Sequence, residues 1–328
     1  MKSPRSPWIV SGILLVLLLV LVFASLCAGR VWTPWSAWVS HEDPRWAIVF
    51  GLRLPRTTLA ILVGGALGLS GAALQGYTRN PLADPAALGV SASAALGAVL
   101  TLYLGAAGEA SWTLPLAAMI GAGLGVAALL ALSGVTSSIV TFLLAGFVIQ
   151  TVCGSAIALA LNLAPNPWSV NEIVNWLMGS LADRSVEEVR LAAPGVIAGG
   201  LLLLTLGRSL DALTLGEQGA RSLGVDLSRT RLLMAVGVAV AVGSSVAVTG
   251  VISFVGLITP HLLRPLLGSR PSALLAPSFL GGAALTLAAD ILVRMTPAAS
   301  EVKLSVAMAA LGGPFFLAML ISMRRRLA

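Results

Sequence analysis

The sequence is short of charge, and that shortage excludes a water-soluble fold. Only 10% of its 328 residues are Asp, Glu, Lys or Arg, against 57% hydrophobic ones, too little polar surface to cover a globule of this length. With a mean hydropathy of +0.96 the chain reads as an all-α polytopic membrane protein, since strands of a closed barrel alternate apolar and polar residues and these runs do not. Histidine is nearly absent: His41 and His261 stand alone. Two isolated histidines exclude a membrane enzyme built on clustered His, Asp or Glu, and each reads as a structural hydrogen-bonder rather than a ligand. The cysteines, Cys27 and Cys153, lie in apolar runs without a CxxC partner and read as buried small hydrophobes. No GxxxxGK[ST] stretch occurs, so no phosphate-cradling loop is present. The pI near 10.7 is no sign of nucleic acid, because excess Lys and Arg in a membrane protein mark the cytoplasmic loops.

What is there is a series of apolar runs, each near the roughly 17–25 residues needed to cross a bilayer. They fall at 8–29, 57–76, 86–106, 112–133, 138–161, 189–207, 230–249, 251–267 (marginal), 274–292 and 304–323, numbered here spans 1 to 10. Lys2 and Arg5 before the first run imitate a signal peptide, but the run is longer than a typical signal core. Ten spans put both ends on one side. On that side lie Lys2, Arg5, Arg79, Arg208, Arg221, Arg229, Arg231, Arg264, Arg270 and Arg324–Arg326, twelve bases against the four acids Asp84, Asp211, Glu217 and Asp226. The other side carries Arg30, Arg45, Arg53, Arg56, Arg184, Arg190, Arg294 and Lys303, eight bases against eight acids (Glu42, Asp43, Glu109, Glu172, Asp183, Glu187, Glu188, Glu301). This bias places both termini and the charged island 208–231 in the cytoplasm.

The island reads as a short amphipathic helix, with Leu213, Leu215, Ala220 and Leu223 on one side, closed by Gly224 in a left-handed turn. Span 2 carries a stripe of small residues, Gly64, Gly68, Ala72 and Gly76, that lets another helix backbone approach closely. Segment 56–64 (RTTLAILVG) echoes 229–237 (RTRLLMAVG); one enters from outside and the other from inside, which suggests an inverted repeat of spans 2–5 and 7–10. The tryptophans of 30–56 and 162–188 suit the membrane–water boundary, and the second of these segments should include a surface-lying piece.

Three stretches are distinctive: RLPRTTLAILVGGALGLSGAALQGYTRNPLADPAALGVSASAALGA (53–98), LGEQGARSLGVD (215–226), and GVISFVGLITPHLLRPLLGSRPSALLAPSFLGGAALTLAADILVR (250–294) followed by LGGPFFLAML (311–320). From about span 1 to the C-terminus the chain resembles the permease subunits of type II ABC importers, the FecCD-type uptake family for iron-siderophores, haem and cobalamin. The resemblance implies a single transmembrane permease domain over 1–328 in the bacterial inner membrane, working as a homodimer. Two ABC ATPase subunits would bind below and a periplasmic substrate-binding protein above. Cargo would enter a cavity lined by spans 5 and 10, with a ferric siderophore as the default and haem or cobalamin as alternatives. Hydrolysis would belong to the partner, so this chain is expected to be no enzyme and to hold no cofactor, ATP and Mg²⁺ sitting on the ATPase.

The resemblance also assigns residues. Leu215, Glu217, Ala220, Arg221, Leu223 and Gly224 would form coupling helices against the ATPase, where a plain solvated loop would explain the charges but neither the amphipathic spacing nor the glycine. Gly224→Pro or Glu217→Lys should then uncouple hydrolysis from transport with the fold intact. Asn80, Pro81 and Leu82 would contribute to the cytoplasmic gate, opposite loop 134–141, although an ordinary turn also uses Asn-Pro. Arg53, Arg56 and Arg294 would dock the binding protein through bidentate contacts, unless Asp290 and Arg294, four apart on one helix, satisfy each other. One departure stands out: the family's Glu-Leu-Pro-x-Gly before span 10 is here Glu301-Val302-Lys303-Leu304-Ser305, so that helix must start without the proline and glycine. The rival reading, an ion-coupled secondary transporter, needs acids at mid-membrane, and Asp290 is the only acid inside a span.

Overall fold

The computed structural model describes residues 6–29, 31–39, 41–106, 112–134, 138–296 and 301–327. Lys2, Arg5, Arg30 and Glu109, the side chains of Arg324–Arg326, and positions 135–137 of the expected gate loop lie outside the described residues.

Ten helices occupy the ten expected spans: Pro7–Cys27, Leu54–Thr78, Val90–Tyr103, Thr113–Ser133, Ile139–Asn162, Val186–Thr205, Leu227–Thr249, Val255–Leu267, Pro271–Met295 and Leu304–Leu327. Seven are long and apolar enough to cross a membrane, span 2 together with its outward extension from Pro44, while spans 3, 8 and 10 are shorter over their described apolar parts. Two of these shortenings have a backbone cause. Gly89, at φ +75, separates the 3₁₀ turn Pro85–Leu88 from span 3. Gly250 (φ +72) and Phe254 (φ +70) interrupt the chain before span 8. Among the described residues no strand occurs. The expected surface piece is the helix Pro167–Leu177, which buries Ile173 and exposes Trp168.

Spans 2 and 7, the pair that carries the sequence echo, are the most enclosed of the long helices. Their neighbours follow an exchange rule: span 2 packs on spans 8 and 9, and span 7 on spans 3 and 4, as an inverted repeat requires. Between lipid-embedded helices attraction comes from close packing rather than from exclusion of water, and the small-residue stripe supplies it. A Cβ at Gly64 would collide with the Gly282 carbonyl of span 9, one at Gly282 with the Gly64 carbonyl, and one at Gly68 with the Ser278 carbonyl. Gly76 completes the seam against Pro271, at 2.9 Å for an added Cβ, and Ala72 is buried beside it. Both cysteines are free and buried.

Candidate functional site

The island folds as two short helices, Gly207–Leu213 and Gly216–Ser222, before span 7 starts at Leu227. Gly224, at φ +79, ends the second helix in the left-handed turn that its position predicts. The closure is a Schellman motif, with Val225 N–H donating to the Ala220 carbonyl (3.0 Å) and Gly224 N–H to that of Arg221 (2.9 Å). Asp226 then caps span 7 through the N–H of Arg229 at 3.0 Å.

The expected apolar face is divided. Leu213 and Ala220 are fully buried, whereas Leu215 and Leu223 are 69% and 63% exposed. The reason is the break at Gly216 (φ +90): spacing measured across two helices does not define one face. Leu215, Arg221, Leu223 and Gly224 therefore form the outward surface, and Ala220 belongs to the internal packing. Glu217 turns inward and accepts the N–H of Ile139, at the start of span 5, at 3.2 Å.

Asp211, which has no role in the sequence pattern, fastens the island to the start of span 9. Its carboxylate accepts from Arg270 Nε (2.7 Å), Ser272 Oγ (2.7 Å) and Ser272 N–H (2.9 Å). Partial burial would raise its pKa, but the Ser272 hydrogen bonds and the Arg270 charge outweigh it, and the carboxyl titrates below its ordinary range.

Asn80 shapes its own turn, its Oδ1 accepting the N–H of Leu82 at 2.9 Å. Asn80 is exposed, and Pro81 and Leu82 are half-buried. Beside this turn lies a cavity of about 310 Å³ bounded by Gln75, Arg79, Pro81, Thr214 of the island, Arg264 and Pro271. Gln75 is buried yet well satisfied. It donates to the carbonyls of Ala83, Gly256 and Leu257 (3.3 Å each) and accepts from Arg264 Nη2 at 2.7 Å, which locks the turn to spans 2 and 8. Burial raises the pKa of the neighbouring Asp84 carboxyl, partly opposed by the N–H of Ala86.

On the far side, the three arginines assigned to docking point into the protein. Arg53 Nη1 donates to the carbonyls of Leu26 (2.9 Å) and Cys27 (2.8 Å) and to Thr33 Oγ1 (2.7 Å), so it caps the C-terminal carbonyls of span 1. Arg56 grips Asp290 with Nη2 (2.7 Å) and Nε (3.0 Å) and also pairs with Glu301. Arg294 Nε lies 3.1 Å from Asp290, and its Nη1 donates to the Ser25 carbonyl at 3.1 Å. Arg53 and Arg294 are buried and the Arg56 side chain is 11% exposed. Within the chain these three arginines are thus engaged by the end of span 1, by Asp290 and by Glu301, and all three line one cavity together with Glu301. The cluster reaches the residue just before the departure that precedes span 10. Glu301 is held by Arg56, and the Lys303 carbonyl accepts from Val306 and Ala307 N–H (3.0 and 3.2 Å), starting the helix without proline or glycine. His261 packs edge-on against Phe315 of span 10.

Comparison with known proteins gives a consistent picture. The sequence profile of the FecCD transport family matches residues 17–322. The hemin transport system permease protein HmuU of Yersinia pestis is 35% identical over 340 residues, 99% of each chain. The vitamin B12 import system permease protein BtuC of Klebsiella pneumoniae is 35% identical over 313 residues, 95% of this chain and 93% of that one. Among solved structures, a metal-chelate type ABC transporter in an inward-facing conformation matches with a TM-score of 0.85 at 29% identity, over 96% of this chain and 99% of that chain.

Proposed function

The chain belongs to the FecCD transport family, and from that premise we propose that it carries a metal chelate inward across the bacterial inner membrane, from a periplasmic binding protein to the cytoplasm. It is the permease subunit of a type II ABC importer, a transport component rather than an enzyme. In the proposed assembly two copies pair and two ATPase subunits, which hold ATP and Mg²⁺, engage the island from the cytoplasm. The observation that carries this reading is the exposure of Leu215 and Leu223 on a charged island outside the spans. Two large apolar side chains exposed on one short charged island outside the spans suit a contact with another protein better than contact with water alone.

Other features agree. The charge bias puts the island and both termini in the cytoplasm. Span 5 leaves Val140, Leu144, Phe147 and Val152 uncovered by its own chain, a surface suited to a second copy around a shared path. Asp290 is held by Arg56 and Arg294, which argues against ion-coupled transport through that acid. For cargo, haem and cobalamin take precedence over a ferric siderophore, because HmuU and BtuC are named for hemin and vitamin B12.

The test is uptake into proteoliposomes that contain the chain, its ATPase and its binding protein. Haemin, cyanocobalamin and a ferric hydroxamate are offered in turn. Uptake of one of them that requires MgATP is expected; uptake without ATP and without the ATPase would contradict the assignment.

A further inference from the structure

One contact from the island and one from the second turn of span 7 reach the two ends of the segment joining spans 4 and 5. Glu217 Oε1 accepts the N–H of Ile139 at 3.2 Å. Ile139 is the first residue of the helix Ile139–Asn162, so its N–H is one of the first four that find no partner inside the helix. A carboxylate placed there also meets the positive end of the helix dipole. Span 5 already has a local cap, Ser138 Oγ accepting the N–H of Thr141 at 3.3 Å. The Glu217 bond is therefore not needed to start the helix; what it adds is a connection.

At the other end, Gly134 closes span 4. Its carbonyl accepts from Nη1 of Arg231 at 3.3 Å, while Nε of the same guanidinium donates to the Tyr77 hydroxyl of span 2 at 3.1 Å. Arg231 is 3% exposed. An acid from the island's second helix thus holds the first amide of span 5, and a base from the second turn of span 7 ties the end of span 4 to span 2. The two sides differ in freedom. Span 2 is enclosed by its own chain over most of its length, whereas span 5 packs chiefly on spans 3 and 4 and on the Pro85–Leu88 turn, so span 5 is held by its own chain less firmly than span 2.

We propose that Glu217 is a positioning residue through which movement of the island reaches span 5, with Arg231 and Tyr77 as its fixed counterpart. The inference rests on the reading that the island receives the ATPase, and it gives Glu217 an inward task distinct from docking.

The test uses the complex of the chain with its ATPase in nanodiscs, with and without MgATP, and reads amide exchange across the first turns of span 5. Ile139→Pro removes the accepted N–H at a helix position where proline is tolerated. Ser138, at φ −71 and ψ 163, already has the extended conformation required before proline. Ile139→Ala keeps the N–H and controls for the lost side chain. In the wild type MgATP should alter exchange in span 5. In Glu217→Ala and in Ile139→Pro that response should shrink by about tenfold, the effect of one charge-assisted hydrogen bond. The double variant should be no worse than either single one, because both remove the same bond. In Ile139→Pro, which leaves the island itself intact, retention of the ATPase and its hydrolysis should be unchanged, and Ile139→Ala should behave as wild type. The proposal is overturned by a full response in Ile139→Pro, by equal losses in Ile139→Pro and Ile139→Ala, by loss of the ATPase in Ile139→Pro, or by a wild-type complex without the response. A wild-type chain that retains no ATPase would instead strike at the importer reading beneath it.

Discussion

The two membrane edges of this protein use charge in opposite ways. On the far side, Arg53, Arg56 and Arg294 are spent on the chain itself: two on Asp290, one of these also on Glu301, and one on the carbonyls that end span 1. On the island side, Asp211, Asp226 and the Schellman turn at Gly224 satisfy the local backbone and neighbouring loops. That leaves Leu215, Arg221 and Leu223 facing out. The contrast has a simple origin. A buried acid and open helix ends are costly in a poorly hydrated setting, and nearby guanidiniums are drawn to them. Where backbone and acids are already satisfied, outward side chains stay free for another molecule. A basic residue at a membrane edge is a docking group only after its donors have been counted.

This comparison can be broken experimentally. The largest effect should come from Asp290→Ala, which removes the acid shared by Arg56 and Arg294 and leaves them only Glu301 and Ser25; it should destabilise the chain by about 3 kcal/mol, seen as a lower melting temperature or an aggregated peak on size-exclusion in detergent. A neutral result would mean that the far-side arginines do not depend on that acid. Gly224→Ala should cost about 1–2 kcal/mol from the left-handed backbone alone, since an added Cβ meets nothing within 4 Å; melting of the two proteins measures it. Gly224→Pro is a poorer probe than the sequence suggests, because it removes the N–H given to Arg221 and forbids the positive φ. The smallest effect concerns pH. The Asp211 carboxyl has a lowered pKa in the fold, so its stabilising contribution is complete above the ordinary aspartate range and fades as pH falls through the folded value. Asp211→Asn should flatten that acid limb of a melting-temperature profile, and an unchanged limb would remove Asp211 as its source.

Much of the architecture was legible in the sequence. A helix at each of the ten expected places, seven of them long and apolar enough to cross a membrane, the small-residue seam of span 2 and the left-handed turn at Gly224 follow from hydropathy, spacing and glycine. The exchange pattern of spans 2 and 7 was hinted at by nine residues. What escaped were long-range partnerships: Arg56 with Asp290 and Glu301 (234 and 245 positions apart), Glu217 with Ile139, and Gln75 with Arg264. Periodicity reports which face of one helix is apolar and is silent on which polar group lies across the gap. The island's divided face failed for a local reason, since Gly216 splits one apparent helix in two. The shortened starts of spans 3 and 8 were missed because hydropathy does not register a positive φ in an apolar run.

The central claim is that the island's outward leucines receive the ATPase that drives transport. It is tested most directly by the amount of ATPase that co-purifies with Leu215→Asp/Leu223→Asp, compared with the wild type at matched melting temperature. The account predicts an unaltered melt, because neither side chain is buried, and ATPase retention reduced by at least about thirtyfold, as expected when two apolar anchors are lost from an interface. Undiminished retention, with both aspartates in place, would contradict it.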